Sequence, residues 1–444
     1  MTRTDPTQYP PEAWAPVRRA AAAFTAPIQR ILAIEAASGV VLLVATAVAL
    51  IWANVWGRSY ELLWQMPVGG RIGPWSFEQP LRFWINDGLM TAFFFVVGLE
   101  IRREIFEGEL ASLRKSALPL AAALGGMLVP VGIYAALNLG RSGAAGWAVP
   151  MATDIAFAVG VVTLLGSRVP AALRVLLLAL AAIDDIGAIV VIAMFYSAGL
   201  SLGGVVVVAI GIAGALVMRA AGVRTALLYV APGALVWTGL LVAGVQPTLA
   251  GVILGLLTPI RPWFGPSGFA ATTQAHLEQL PAGDREALLE SLAEIEQARR
   301  EAVSPAERLI YALHPWVAYV AMPVFALANA GVVLGGIRIS GDEIWLTAGI
   351  IAGLVIGKPL GITAAALAAS RLGIATPPDG VTRRGVLLVG LIGGVGFTMS
   401  LFIAQLAFPA GHVLDTAKLA ILVGSAAAII LGIGFGLATA PRSR

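Results

Sequence analysis

Cysteine is absent from the 444 residues, and charged side chains are scarce. Without thiols the chain has no disulfide bonds, no thiolate metal sites and no cysteine nucleophile. Asp, Glu, Lys and Arg make up only 12% of the chain, about half of their share in an ordinary water-soluble domain. Hydrophobic residues make up 58%, and the mean hydropathy is +0.87. This composition excludes a globular protein of the aqueous phase and predicts a protein embedded in a membrane.

The sequence also lacks the signatures of several partners. It contains no dense basic run and no glycine-rich phosphate loop, so we expect no nucleic acid and no nucleotide to bind. No two of its three histidines have the spacing of metal ligands, and we expect no cofactor. The net charge of +4 comes from 29 lysines and arginines that are scattered along the chain. Scattered basic residues beside apolar runs are typical of loops that set membrane topology.

Apolar stretches long enough to cross a membrane recur along the chain, and we count twelve. They lie near Gly39–Val55, Phe83–Glu100, Leu118–Leu139, Trp147–Gly166, Val169–Ser197, Leu202–Arg219, Thr225–Gly244, Val245–Ile260, Pro315–Leu334, Trp345–Ala368, Gly385–Phe408 and Lys418–Leu437. With a cytoplasmic N-terminus, most of the lysines and arginines fall on the cytoplasmic side, as the positive-inside rule requires. The sequence therefore predicts an all-α polytopic membrane protein with twelve transmembrane helices and both termini in the cytoplasm.

The predicted spans divide the chain into one membrane domain and two short ends. We expect a cytoplasmic N-terminal tail over residues 1–32 and a twelve-helix domain over residues 33–438. Residues 439–444 are expected to form a cytoplasmic C-terminus.

Two connections between the predicted spans are long. The outer loop 56–81 has Gly69-Gly70 between strand-like stretches, which predicts a hairpin. The inner loop 261–308 carries apolar residues at helical spacing among charged ones, which predicts a short amphipathic helix. These apolar residues are Leu288, Leu292 and Ile295.

Four ionisable residues lie deep within predicted spans: Asp154, Asp184, Asp185 and Lys358. A charge near the bilayer centre costs ~2.5–3.5 kcal/mol on insertion scales, so each such residue indicates a function. Successive residues of a helix point about 100° apart, so one of the two adjacent aspartates can face a cavity while the other meets another helix. We expect Lys358 to pair with one of them. The alternative is that the two aspartates only mark a helix break or a polar helix contact.

Two predicted spans contain residues that break helices. In the fourth span Pro150 precedes Thr153 and Asp154, and a hydroxyl, a carboxylate and freed carbonyls suit a hard cation such as Na⁺. A kink capped by Asp154 is the alternative, and the two interpretations are compatible. The eleventh span has four glycines within seven positions, which weaken a helix by about 1 kcal/mol each. They are Gly390, Gly393, Gly394 and Gly396. Interrupted helices in both halves of a chain indicate a transporter site, whereas close helix packing is the alternative explanation for the glycines.

With these residues in view, the chain resembles the NhaA-type bacterial Na⁺/H⁺ antiporters over about residues 30–437. The segments that carry the resemblance are Trp84–Met90, Val97–Glu100, Ala152–Phe157, Ile183–Ala188, His314–Val317, Gly357–Gly361 and Gly396–Ser400. The resemblance implies inverted repeats and two discontinuous helices, the fourth and the eleventh, that cross at mid-membrane. It also implies a multi-pass protein of the bacterial cytoplasmic (inner) membrane, surrounded by lipid, that forms a homodimer through the outer hairpin loop 56–81.

The resemblance also implies roles for individual residues. Asp185 would be the carboxylate that binds the transported Na⁺, with Asp184 as its neighbour and as the partner of Lys358. Asp154 and Thr153 would lie at the crossing of the broken helices, where Asp154 would compensate the facing helix dipoles.

Further roles concern the response to pH. Glu100 and Glu104 would belong to a cytoplasmic, pH-responsive funnel. Two positions depart from the family's pattern. Gln246 stands where the family usually has a histidine, and Arg261 begins an inner loop that lacks the family's acidic residue. Both departures affect the pH at which exchange begins.

The implied function is secondary active transport rather than enzyme catalysis. Cytoplasmic Na⁺ or Li⁺ would exchange for external protons by alternating access, because both ions compete for the same buried aspartates. The resemblance implies electrogenic and pH-regulated exchange. A sodium-coupled solute symporter of the same fold is an alternative. An intramembrane aspartyl protease is a more remote one, because no Gly-X-Gly-Asp segment precedes Asp154 or Asp184.

Overall fold

The computed structural model describes residues 35–72, 75–197, 199–223, 225–262, 265–278, 285–336, 340–378 and 380–439. The expected N-terminal tail 1–32 and residues 440–444 of the expected C-terminus lie outside these ranges. The described chain is predominantly helical. The helices of its first half are α1 (Glu35–Val55), α2 (Gly57–Trp64), α3 (Leu81–Phe106), α4 (Leu113–Asn138), α5 (Ile155–Leu165), α6 (Ala171–Phe195), α7 (Leu202–Ala220) and α8 (Val230–Ala243).

The second half of the described chain contains the remaining helices. They are α9 (Leu249–Leu257), α10 (Gly265–Glu278), α11 (Arg285–Ala302), α12 (Pro305–Asn329), α13 (Asp342–Arg371), α14 (Arg383–Gly393), α15 (Phe397–Ala407) and α16 (His412–Thr439). Short 3₁₀ turns lie at Glu109–Ala111, Ala144–Met151, Gly166–Arg168, Ala226–Tyr229 and Leu334–Gly336. Within the described ranges, ten helical segments are long and apolar enough to cross a membrane. The count is eleven when α14 and α15, which meet at 48°, are taken as one span.

The predicted eighth span differs from the others in length. Its helix α9 has nine residues, or about 14 Å at 1.5 Å per residue, which is less than a bilayer core of ~30 Å. Pro247 precedes α9 and Pro259 follows it, so helical hydrogen bonding is interrupted at both ends. The short helix packs along α3. The prolines therefore explain why this apolar stretch forms a shorter helix than its length predicts.

Three long helices each contain a wider π-helical turn: Trp84–Leu89 in α3, Val317–Ala321 in α12 and Gly353–Gly357 in α13. In α12 and α13 a proline follows within two residues of the turn, at Pro323 and Pro359. Proline has no N–H to donate and its ring clashes with the preceding turn, so the helix widens ahead of it.

The outer connection contains a two-stranded antiparallel hairpin of β1 (Pro67–Ile72) and β2 (Trp75–Pro80). Gly69 lies opposite Glu78 and Gly70 opposite Phe77, so the two glycines lie within a strand and not at the turn. The first strand ends at Ile72, and the second begins at Trp75. The inner connection contains α10 and α11, which pack together.

The protein interior lies where α4, α6, α13 and the α14–α15 pair come together. Helix α13 packs along α4, and α6 packs against α4 and α14. Large apolar side chains such as Leu180, Leu354, Ile362 and Phe402 are fully buried there. Apolar side chains on α1 and α7 remain exposed, as expected of surfaces that contact lipid. This arrangement brings the middle of α6 and the π-helical turn of α13 close to two non-helical segments, residues 152–154 and residues 394–396.

Candidate functional site

Two breaks in the helical structure, at residues 152–154 and residues 394–396, lie in contact. After the 3₁₀ turn Ala144–Met151, residues 152–154 are not helical, and α5 begins at Ile155. Helix α14 ends at Gly393, and α15 begins at Phe397. A Cβ atom at Gly394 would lie 2.4 Å from the carbonyl oxygen of Leu354, and one at Gly396 would lie 2.3 Å from Ser400 Oγ. The contact at Gly394 is with a backbone atom, so only glycine fits there, and this allows the second break to approach α13 closely.

Hydrogen bonds join one break to the other. The Asp154 N–H donates to the Val395 carbonyl at 2.7 Å, and the Ser400 hydroxyl donates to the Val149 carbonyl at 2.7 Å. Thr153 Oγ1 lies 3.0 Å from the Gly393 carbonyl oxygen. Carbonyl and N–H groups that a continuous helix would pair internally are paired across the two breaks instead.

The Asp154 carboxylate lies at the N-termini of two helices at once. Its Oδ1 accepts a hydrogen bond from the Phe157 N–H at 3.2 Å, which caps α5. Its Oδ2 accepts hydrogen bonds from the Thr398 N–H at 3.0 Å and from the Thr398 hydroxyl, both in the first turn of α15. A negative charge is favoured at a helix N-terminus, and here two N-termini point at one buried carboxylate.

A second buried carboxylate, Asp184 in the middle of α6, forms an ion pair. Lys358 Nζ lies 2.5 Å from Asp184 Oδ2, and both side chains have no exposed surface. Thr153 joins the pair, because Lys358 Nζ donates to Thr153 Oγ1 at 2.6 Å and this hydroxyl lies 2.6 Å from Asp184 Oδ2. Lys358 directly follows the π-helical turn of α13. The structure thus brings Thr153, Asp184 and Lys358 into one hydrogen-bonded group.

The adjacent aspartate, Asp185, forms no hydrogen bond with this group in the described part of the chain. It is 2% exposed, and its Oδ1 is buried with no hydrogen-bond partner among the described residues. The charges of Asp184, Glu100, Asp154 and Lys358 lie close enough to act on it. An anionic oxygen that is buried without a donor is costly, and no side chain in the described ranges donates a hydrogen bond to this oxygen.

Comparisons with known proteins agree on one family. The description "Na+/H+ antiporter 1" matches residues 29–435. The chain is 55% identical over 443 residues to "Na(+)/H(+) antiporter NhaA 2" of Sorangium cellulosum, a match that covers 98% of this chain and 95% of that protein. A protein of the same printed name from Myxococcus xanthus is 52% identical over 443 residues, covering 98% and 94%. "Na(+)/H(+) antiporter NhaA" of Bordetella petrii is 50% identical over 429 residues, covering 94% and 92%.

The chain belongs to the Na⁺/H⁺ antiporter 1 family.

Glu100 and Glu104, which the resemblance assigns to a pH-responsive funnel, lie one helical turn apart on α3. Glu100 is half-buried and near enough to Asp185 for their charges to interact. Glu104 lies near the end of α3, where its Oε2 accepts a hydrogen bond from the Glu109 N–H at 3.2 Å. Only Glu100 therefore lies near the buried carboxylates.

Gln246, at one of the two departures from the family pattern, contacts an aspartate that the sequence analysis did not count among the ionisable residues deep within the spans. Its Nε2 donates to Asp87 Oδ1 at 2.6 Å. Asp87 lies in the π-helical turn of α3, and its carbonyl accepts a hydrogen bond from the Trp237 indole at 2.8 Å. Asp87 lies near the start of an apolar run, where a charged side chain can reach water, so the sequence did not indicate that it would be partly buried.

Sequence reasoning also missed two other polar contacts. Thr398 belongs to Gly396–Ser400, one of the segments that carry the resemblance, but the sequence does not indicate that its hydroxyl contacts Asp154. The second contact is a cluster of three amides on α3, α12 and α15. Its members are Asn86, Asn329 and Gln405, joined by hydrogen bonds from Asn86 Nδ2 to Gln405 Oε1 at 2.5 Å and from Asn329 Nδ2 to Asn86 Oδ1 at 2.7 Å. Amide side chains are uncharged, so the search for ionisable residues within the spans did not identify these three residues.

Replacing Thr398 by Val is expected to destabilise the protein, because it removes a hydroxyl that donates to a buried carboxylate. A hydrogen bond to a charged group contributes ~1.5–3 kcal/mol. The measurement is thermal unfolding of the purified protein in detergent. Thr416→Val is the matched control, because the Thr416 hydroxyl is also buried but has no partner within the described chain. Equal losses of stability in both variants would contradict the assigned role of Thr398.

Proposed function

We propose that this protein exchanges cytoplasmic Na⁺, or Li⁺, for external protons across a membrane. One observation carries the proposal to specific residues: the Asp185 carboxylate is buried and its Oδ1 has no hydrogen-bond partner among the described residues. The adjacent Asp184 also has an unpartnered Oδ1 there, but its Oδ2 is paired with Lys358. Family membership and relatives named as Na⁺/H⁺ antiporters support the same exchange. It requires no cofactor, and it is transport rather than enzyme catalysis.

The chemistry rests on competition for Asp185. A buried carboxylate is far more stable when it carries a proton or contacts a cation than when it is a bare anion. Since one carboxylate oxygen cannot hold both ions at once, Na⁺ that arrives from the cytoplasm displaces a proton, and protons that arrive from outside displace Na⁺. Asp184, already held by Lys358 and Thr153, contributes negative charge beside the site and assists in binding Na⁺.

The two helix breaks provide the conformational element. We infer that the fourth and eleventh spans are discontinuous helices crossing at mid-membrane, where Thr153 and Asp154 hold them together. Movement of one helix bundle against the other around this point would expose Asp185 alternately to the two sides. Breaks in both halves of the chain agree with inverted repeats, and α9 with its flanking residues would provide a shorter twelfth crossing.

The orientation follows from basic residues. We infer a bacterial inner-membrane protein with a twelve-helix domain over residues 33–438 and with the ends 1–32 and 439–444 in the cytoplasm, since this places most lysines and arginines inside. The loop 261–308, which includes α10 and α11, then lies on the cytoplasmic side and the hairpin loop 56–81 on the outer side.

Two further features concern charge movement and pH. The resemblance to the NhaA-type antiporters implies that more protons than Na⁺ ions move in each cycle, and on that ground we infer that exchange is electrogenic. Glu100 lies one turn from Glu104 on α3 and acts electrostatically on Asp185. We infer that protonation of this pair changes the charge around Asp185 and thereby regulates exchange by pH.

The exchange itself is tested in everted membrane vesicles that contain the protein. A dye whose fluorescence is quenched by internal acidity reports the pH gradient after respiration starts. Addition of Na⁺ or Li⁺ is expected to restore the fluorescence, because the incoming cation drives protons out. Vesicles without the protein are the control. No recovery with either ion at any pH tested would contradict the proposed function.

We also propose that the β1–β2 hairpin joins two copies into a homodimer. Because the chain has no cysteine, an introduced cysteine is the only thiol that a cross-linker can join to a second copy. Gly70 is exposed on β1, and a Cβ atom there would meet no atom of the described residues within 4 Å. Gly70→Cys is expected to form a covalent dimer with a short bismaleimide in membranes. Gly335→Cys is the control, because Gly335 is equally open but lies outside the hairpin. Equal cross-linking of both variants would contradict dimer formation through the hairpin.

A further inference from the structure

A groove lies where the end of α13 and the start of α14 approach the start of α4. Its volume is about 370 Å³, and it is open on one side. Its walls are mainly apolar and include Leu118 from α4, Ala366 and Leu367 from α13, and Val386 from α14. This volume is within the range of ~300–1,000 Å³ that holds small ligands in proteins. The groove lies apart from the buried aspartates and has no part in the exchange described above.

Two arginines lie at the rim of this apolar groove. Arg371 ends α13 and Arg383 begins α14, and both side chains are exposed. Neither forms an ion pair with an acidic side chain in the part of the chain that the structure describes. The segment from Arg371 to Arg384 contains three arginines and one acid, Asp379, and is therefore basic. The groove thus combines an apolar interior with a positively charged entrance.

The first turn of α14 adds to the attraction for anions at the same rim. Thr382 caps this helix and accepts a hydrogen bond from the Gly385 N–H at 3.0 Å. The N-terminus of an eleven-residue helix carries partial positive charge, which adds to that of Arg383.

We propose that this groove binds an anionic phospholipid, with an acyl chain along the apolar wall and the phosphate between Arg371 and Arg383. The proposal rests on the membrane location given under the proposed function. The ends of the chain complement the rim poorly, because residues 1–34 contain four arginines and two acids and residues 440–444 contain two arginines. A lipid supplies the negative charge, the apolar chain and the high local concentration that this groove suits.

The test measures lipid binding to the purified protein in detergent by native mass spectrometry. Phosphatidylglycerol is expected to bind more tightly than phosphatidylcholine, and glycerol phosphate, which has the headgroup charge but no acyl chain, is expected not to bind. Arg371→Gln with Arg383→Gln should weaken phosphatidylglycerol binding about 30-fold, at roughly fivefold for each arginine beside an anionic lipid. Arg384→Gln is the matched control, because this exposed arginine belongs to the same helix but does not line the groove.

A second variant tests the apolar part of the site. Leu367→Trp fills the groove without changing its charge, and it should weaken phosphatidylglycerol binding while leaving both arginines in place. Equal binding of the two phospholipids, or equal loss of binding in Arg384→Gln and in the double variant, would overturn the proposal. Because binding is measured without transport, these results are independent of whether the protein exchanges Na⁺ for protons.

Discussion

Asp185→Asn is expected to abolish Na⁺-dependent proton movement, so that the dye signal in everted vesicles equals that of vesicles without the protein. The amide has nearly the same shape as the carboxylate, but it neither binds a proton at physiological pH nor carries the negative charge that attracts Na⁺. Asp185 is 2% exposed and its Oδ1 has no hydrogen-bond partner among the described residues, so the substitution removes the charge without breaking a described hydrogen bond of that atom.

The matched control for this substitution is Asp342→Asn. Asp342 begins α13 at the protein surface, where it pairs with Arg141 at 3.4 Å and its side chain is 43% exposed. An exposed ion pair contributes ~0–1 kcal/mol, so this variant should keep the exchange rate of the unmodified protein. Full exchange by Asp185→Asn, at an expression level equal to that of the control, would contradict the assignment of the ion site.

Lys358→Met is expected to cause the largest loss of stability of any single substitution considered. It removes the cation from a pair in which neither side chain has exposed surface and leaves Asp184 as an uncompensated buried charge. Removing one partner of a buried ion pair costs ~3–5 kcal/mol. The measurement is thermal unfolding in detergent, followed by the fluorescence of the 11 tryptophans.

A second substitution separates the lost charge from lost packing. Asp184→Asn in the Lys358→Met background removes the unpaired charge, and it should recover most of the lost stability. Exchange would remain impaired, because Asp184 contributes charge beside Asp185. An unfolding temperature of Lys358→Met equal to that of the unmodified protein would show that the ion pair does not stabilise the fold.

Much of the candidate site can be located from the sequence, because a charge in an apolar run is conspicuous. Asp154, Asp184, Asp185 and Lys358 stand out among long stretches of Leu, Val, Ile and Ala. Membrane insertion is costly for such residues, so their mere presence predicts partners. The structure shows those partners to be the Lys358–Asp184 pair and the capping of Asp154. That Asp185 binds the transported ions stays a prediction.

The contacts that the sequence does not predict link residues far apart in the chain. Thr398 and Asp154 are 244 positions apart, and a threonine in an apolar helix is ordinarily satisfied by its own backbone. Apolar length was also misleading at α9, where prolines at both ends limit the helix to nine residues. Periodicity and hydropathy describe one segment at a time, whereas these features depend on which segments become neighbours.

Proton release upon Na⁺ binding tests the central claim most directly. Titrating Na⁺ into the purified protein by calorimetry, in two buffers with different ionisation enthalpies, gives the number of protons released per ion across a pH series. The competition described here predicts that Na⁺ binding releases protons and weakens as the pH falls. Na⁺ binding with the same affinity at every pH, and without proton release in either buffer, would contradict the account.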